Sequence, residues 1–297
     1  MIVQSGSDLR LRLERRIDEL PVLPTVIGQL FSLDPDADGY FEQLLELVEA
    51  DATFTARTLS AANAAASAPR HPIETVRAAL ARLGSDGVRS LVMAVAVTRV
   101  FIPRDEWEVS LWRHALQTAS ASRRLAAFAP EALVSPEVAY VIGLLHDIGR
   151  FVMVAEAPDS LRIIHEGTWD APNELVDQER AICGLSHAEI GVMACRRWGL
   201  PAVIEDVIGR HHDPLLDPSS TFGNDAMLVL LRIADLLLFP SVLPGEPGWE
   251  EADLNTIEDQ LMPLMPSWLT ISSKQLQRVI TGTVEETDRT ITSLGFG

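Results

Sequence analysis

At 297 residues, 47% hydrophobic and 22% charged, the chain is long enough to bury a sizeable core and does not have the composition of a disordered segment. A formal net charge of -18 excludes a broad basic surface, which argues against nucleic acid or an anionic membrane as a partner. The basic residues are nearly all arginine, Lys274 being the one lysine, so a phosphate-bearing ligand could be held only where arginines converge.

Helical periodicity runs through the chain. Leu11, Leu13 and Ile17 mark a first amphipathic segment that must end by Leu20, because Pro21 follows. After the turn-like DPDADG, Phe41, Leu44, Leu45 and Val48 repeat at helical spacing. Thr53 is placed to cap a helix through Ala56, Leu59 and Ala62, whose alanines imply close helix–helix contact. Pro72 is expected to open the next helix, with Ile73, Val76, Leu80 and Leu83 on one face and Gly84 at its stop. The run SLVMAVAVTRVFI fits a buried strand or a buried helix; with helices on both sides and no partner strand, it reads as a helix.

Past Pro103 the character changes, and a boundary is placed near residues 103–106. A long segment from Asp105 to about Phe128 precedes VAYVIGLLHDIGR, SHAEIGVMACRRWG, PAVIEDVIGRHH and AMLVLLRIADLLLF. The acidic, Pro-rich stretch after Pro240 reads as a surface loop before one or two closing helices. Cys183 and Cys195 make no disulfide framework and read as small buried hydrophobes of a reducing compartment. The N-terminus lacks an apolar core of signal-peptide length, and apolar stretches are broken by Arg or Asp before spanning length, so a cytoplasmic location is expected.

Chemistry concentrates in the second half. His146 and Asp147 end an apolar helix, where two polar side chains are costly to bury without partners. His114 lies upstream; His187, His211 and His212 lie downstream; Asp235 sits inside a strongly apolar helix. A carboxylate there needs an arginine, a hydrogen-bond network or a metal, and Arg232, one turn away, is the competing structural partner. Imidazole and carboxylate ligands from several helices suit a divalent ion such as Fe, Mn or Zn, which this donor set does not distinguish. Glu179, eight residues before His187, reads as a partner behind that histidine, another ligand or a helix-surface residue. The pairs Arg123–Arg124 and Arg196–Arg197 could line a phosphate pocket but read first as solvated faces, and His71 and His165 as ordinary residues.

The order His114…His146-Asp147…Asp235, with an apolar helix leading into HDIG, resembles the HD superfamily of metal-dependent phosphohydrolases. His187, His211 and His212 resemble the extra histidines of its HD-GYP branch, which hydrolyses cyclic di-GMP at two or three metals. LPVLP at Leu20–Pro24, EADATFTARTLSAAN up to Asn63, ARLG at Gly84, HAEIG at His187–Gly191 and WGLP at Trp198–Pro201 resemble the HDOD family of bacterial signalling proteins, over roughly residues 20–237.

The resemblance implies an all-α fold, with an N-terminal helical subdomain over 1–104 packed on an HD-like helical subdomain over 105–297. It implies a divalent metal site built from His114, His146, Asp147, His187, His211, His212 and Asp235, with Asp147 and Arg150 as catalytic residues if the protein is active. Two functions stay open: a regulatory output protein acting on other signalling proteins, with a nucleotide as a conceivable ligand, or a metal-dependent phosphohydrolase or phosphodiesterase. The chain departs from the active pattern where Arg150 replaces the lysine of HDxGK, and where DPLLDP, opening with Asp213, follows His211–His212 with no GYP segment.

Overall fold

The computed structural model describes residues 6–21, 25–35, 37–64, 71–165, 172–213, 217, 219, 223–238 and 252–296. Among them there is no strand, and the fold is all-α. The helices of the first hundred residues are α1 (Gly6–Asp18), α2 (Thr25–Ser32), α3 (Tyr40–Glu49), α4 (Ala52–Ala64), α5 (Val76–Leu83) and α6 (Ser85–Thr98). Next come α7 (Glu106–Ala126), α8 (Pro136–Leu145), α9 (Ile148–Glu156), α10 (Pro158–His165), α11 (Pro172–Cys183) and α12 (His187–Arg197). The chain continues through α13 (Ala202–Arg210), α14 (Gly223–Leu238), a single turn α15 (Leu254–Thr256) and the closing α16 (Ser273–Leu294). Most of LPVLP, of DPLLDP and of the acidic stretch after Pro240 lies outside the described residues.

Contacts divide the chain into two compact units, Met1–Leu20 with Ser110–Val284, and Pro21–Val109 with Glu285–Gly297. The sequence suggests one cut near 103–106; the contacts give cuts after 20, 109 and 284. The first cut has a local cause. Leu9, Leu13 and Ile17, not Leu11, form the buried stripe of α1, which packs against α9, α11 and α12, and Leu11 is 59% exposed. Arg12 donates to the Glu156 backbone carbonyl at the end of α9, holding α1 to that helix.

In the smaller unit α4, α5 and α6 pack on one another, with α2 on α6 and α3 on α4, α5 and α6. The run read as strand or helix is α6, buried at every position from Ser90 to Thr98. Two expected starts move. Asp51, not Thr53, caps α4: its Oδ1 accepts from the Thr53 amide at 2.7 Å and the Phe54 amide at 3.3 Å, and Thr53 lies inside the helix. The face α4 buries carries Phe54, Thr58, Ala61 and Ala62, leaving Ala56 exposed. Pro72 precedes α5 without opening it; Thr75 is the N-cap, accepting from Ala78, while Asn63 pins the Ile73 amide at 2.9 Å. Gly84 does end α5, at φ 76°, a left-handed-side conformation that a side chain disfavours.

In the larger unit α9 and α12 lie side by side, flanked by α1, α10, α11 and α13, while α8 packs with α13 and α14. Residues Pro136–Glu156 are apolar enough by length to cross a membrane, with mean hydropathy 1.6, yet 83% of that apolar window is buried and the stretch breaks between α8 and α9. Two glycines set the interhelical distances. A Cβ on Gly149 would lie 1.9 Å from the His187 carbonyl oxygen, and one on Gly143 would lie 2.6 Å from Ala119 Cα. Only glycine allows these backbones to approach so closely. The two contacts bring the α8–α9 turn against α7 on one side and the start of α12 on the other.

Candidate metal centre

His146 and Asp147 occupy the turn between α8 and α9. Asp147 sits at the N-cap position of α9, yet its carboxylate caps nothing. It points inward, buried at 4% exposure, and each of its oxygens faces a separate group of histidines. Oδ1 lies 3.3 Å from His187 Nε2 and 3.7 Å from His211 Nε2. Oδ2 lies 3.5 Å from His146 Nε2 and 3.7 Å from His114 Nε2. His114, on α7, reaches Asp235 Oδ1 of α14 at 3.2 Å and His146 Nε2 at 3.2 Å. Ligand atoms of Asp147, His187, His211 and His212 all lie within 4.8 Å of one another, as do those of His114, His146 and Asp235. All seven residues singled out in the sequence therefore converge.

The hydrogen bonds behind the histidines fix their tautomers. A carbonyl or carboxylate can only accept, so an Nδ1 resting on one must carry the hydrogen. His146 Nδ1 donates to Gly143 O at 2.7 Å, and His211 Nδ1 to Ile208 O at 2.6 Å. His187 Nδ1 donates to Glu179 Oε2 at 2.5 Å. In the neutral ring each Nε2 is then a bare lone pair. Two of these, on His187 and His211, face each other at 3.0 Å, and beside them Asp147 Oδ1 is buried with no donor among the described residues. With the rings neutral such a cluster repels itself, and a metal ion or a shared proton among its atoms relieves it. A divalent ion about 2.1 Å from each of two ligands sets those ligands about 3.0–3.4 Å apart, close to the spacings observed. The donor set fits a divalent metal.

The electrostatics agree. Burial alone would raise the Asp147 carboxyl, but Arg150 and the surrounding histidines hold it well below the usual carboxylate range. Burial pushes the His146 imidazole down to about 4 and lowers His212 much further, with the neighbouring histidines adding to the effect, so both favour the neutral, ligating form. His114 goes the other way: Asp235, through a hydrogen bond and its charge, outweighs burial and raises it.

Some supporting residues were only half visible in the sequence. Glu179 is wholly buried behind His187, taking its Nδ1 hydrogen and, at 2.8 Å, its backbone amide. A capping box of Ser186 and Glu189 starts α12 with His187 at its first position. Arg232, weighed as the partner of Asp235, instead donates its Nε to the His211 carbonyl at 2.9 Å and a terminal N–H to the Asp213 carbonyl, tying down the turn that carries His211 and His212. Three of the four paired arginines are engaged elsewhere: Arg123 rests on the Tyr140 ring, Arg124 bonds Ser120 and the Gly282 carbonyl, and Arg196 pairs with Glu205. Cys183 and Cys195 are free and buried, with burial pushing their thiols up to about 11 and about 12.

The sequence profile of the HDOD domain matches residues 20–214. This chain belongs to the HDOD domain family. An uncharacterized protein of Treponema pallidum (strain Nichols) is 27% identical over 201 residues, a match that covers 67% of this HDOD chain and 38% of that protein. Solved structures share the HDOD fold at lower identity. A Shewanella amazonensis SB2B protein proposed to be a phosphohydrolase has a TM-score of 0.67 at 21% identity, covering 95% of this chain and 97% of its own. An HDOD domain protein of unknown function from Geobacter sulfurreducens gives 0.62 at 22%, covering 97% and 96%. A Marinobacter aquaeolei VT8 protein proposed to act in signal transduction gives 0.67 at 21%, covering 99% of this chain and 67% of its own.

Proposed function

We propose that this HDOD chain is a cytoplasmic output module of bacterial signalling that carries a divalent metal centre and acts through contacts with other signalling proteins. The ligands in this reading are His114, His146, Asp147, His187, His211, His212 and Asp235. The observation that carries it is the carboxylate of Asp147, whose two oxygens each serve a separate histidine group. Maintaining seven converging ligands, with Glu179 and Arg232 behind them, costs burial of polar groups that a purely packed helical core would avoid.

When bound, the metal would supply Lewis acidity and an ionised water. The chain's own residues do the rest: Asp147 joins the two groups, Glu179 and the Gly143 and Ile208 carbonyls orient three imidazoles, and Asp235, at 28% side-chain exposure, gives the side open to solvent. The complete ligand set favours a second reading, a phosphohydrolase or phosphodiesterase acting on a nucleotide or cyclic dinucleotide, with Asp147 and Arg150 as its catalytic residues. Arg150 weighs against brisk turnover. Its guanidinium lies 3.3 Å from Asp147 Oδ2, engaged on the metal ligand rather than held out to a substrate phosphate.

The test is metal content of the purified protein and of Asp147→Ala, with turnover of cyclic di-GMP followed under reducing conditions with Mn or Fe. Metal in the wild type alone, with slow or no hydrolysis, supports the signalling reading. Brisk hydrolysis abolished by Asp147→Ala makes the protein an enzyme.

A further inference from the structure

We propose that Arg150 is a built-in cation that takes the place of one of two metals: the centre holds one ion tightly, in the His187–His211–His212 half, and the His114–His146–Asp235 half binds a second only weakly. The proposal rests on the metal reading above and gives its occupancy.

Three observations carry it. First, Arg150 is only 14% exposed in its side chain, and its NH1 lies 3.3 Å from Asp147 Oδ2, the oxygen that faces His114 and His146. Oδ1, facing His187 and His211, has no hydrogen-bond donor among the described residues. A metal entering the first half must share its bridging oxygen with a guanidinium; one entering the second half need not.

Second, the charges close at one ion. Asp147, Glu179 and Asp235 are the carboxylates that act on Arg150. Three negative charges against one guanidinium leave a deficit that a single divalent ion fills. A second would leave surplus positive charge in a low-dielectric interior, which is costly. Replacing Arg150 with a neutral side chain removes that penalty, since two divalent ions and one bound hydroxide would then balance the carboxylates.

Third, the carboxylate that only the His114–His146 half contributes is the less buried one: the Asp235 side chain is 28% exposed, against 6% for Asp147. The histidines do not separate the halves, since the Nδ1 hydrogens of His146, His187 and His211 are all anchored on acceptors, while His114 Nδ1 and His212 Nε2 are each buried with no partner among the described residues. A ligand open to water gives a bound ion up more readily.

The experiment titrates Mn(II) into metal-stripped full-length protein and counts bound ions by electron paramagnetic resonance, with thermal melts confirming that each variant folds. The wild type should take one Mn(II) tightly and a second at least about tenfold more weakly. Arg150→Gln should take two with comparable affinity and show exchange coupling between them, while Arg150→Lys, which keeps the charge, should stay close to wild type. His187→Ala should lose the tight ion and Asp235→Asn should keep it. Equal binding of two ions by the wild type, a single ion in folded Arg150→Gln, or loss of the tight ion in Asp235→Asn but not in His187→Ala would overturn the proposal and leave the metal centre standing. No tight Mn(II) in the wild type or any variant overturns both. If Arg150→Gln does not fold, the comparison of His187→Ala with Asp235→Asn decides alone which half holds the tight ion.

Discussion

His187 and His211 face each other through Nε2 atoms 3.0 Å apart, each with its ring hydrogen held on the far side by Glu179 or by Ile208. With both rings neutral, two lone pairs at that distance repel, and a metal ion or a proton held between them relieves the repulsion. Removing metal should therefore destabilise the protein. A ligand present at a hundred times its dissociation constant adds about 2.7 kcal/mol, so exhaustive chelation should lower the melting temperature by about 5 °C or more in a chain of this size. Calorimetry before and after chelation, with Mn(II) added back, checks it; an unchanged melt would remove the argument from lone-pair repulsion.

Glu179→Gln keeps an acceptor for the His187 amide but withdraws the negative charge behind its ring. Partners of this kind set ligand basicity, and their loss costs about 10–100-fold in metal affinity. Glu42→Gln, on an exposed carboxylate of the smaller unit, should leave affinity unchanged and serves as the control.

Gly149→Ala should be among the most damaging small substitutions in the chain. The added methyl would sit 1.9 Å from the His187 carbonyl oxygen, a backbone atom that cannot turn aside. Helices α9 and α12 would have to separate, at a cost of about 4 kcal/mol or more, in the range of severe core lesions. Gly87→Ala, in α6, is the contrast. Its methyl would meet Leu83 Cβ at 3.8 Å, an ordinary contact, and the helix should gain up to about 1 kcal/mol. Urea unfolding of both variants gives the comparison.

The candidate ligands stand out in the sequence in different ways: Asp235 interrupts an apolar helix, His146 and Asp147 end one, and His187, His211 and His212 stand at helix ends. What supports them was less visible. Glu179 looks like any surface glutamate until α11 is seen to lie against α12, and Arg232 looks like the partner of Asp235 because they are one turn apart. Spacing along one helix cannot reveal that the backbone carbonyls of another chain segment will claim the guanidinium. The buried stripe of α1 is Leu9, Leu13 and Ile17, four residues apart, whereas Leu11 has Glu14, Arg15 and Asp18 as its helical neighbours and is exposed. At the start of α4, Asp51 and Thr53 are both good cap residues; Asp51 takes the role and also pairs with Arg99.

That last contact makes a pH prediction. Arg99 pairs with both oxygens of Asp51, at 2.9 and 3.0 Å, and stacks over Phe54. Hydrogen bonding to Arg99, with the Thr53 and Phe54 amides, lowers the Asp51 carboxyl to about 2. A folded-state value below the unfolded one stabilises the fold fully above the unfolded value, near 3.8, and the benefit is lost as pH falls from about 4 through about 2. Because the pair is about a third exposed, Arg99→Met should cost no more than about 1 kcal/mol at neutral pH. Unfolding curves across that window should converge for the two proteins; a cost that persists at pH 2 would belong to the lost Phe54 stacking.

The residues that could ligate a metal come from α7, α12 and α14 and from the ends of α8 and α13, spread between residues 114 and 235. No helix carries enough of them to hold an ion alone, so an ion bound there is a cross-link between distant parts of one chain, closing several long loops at once. It follows that the centre reports on packing and not on helix content. In a loosened state that keeps its helices but loses their fixed contacts, the ion should leave while the far-ultraviolet circular dichroism barely changes. During gradual denaturation, loss of the metal should precede loss of helix.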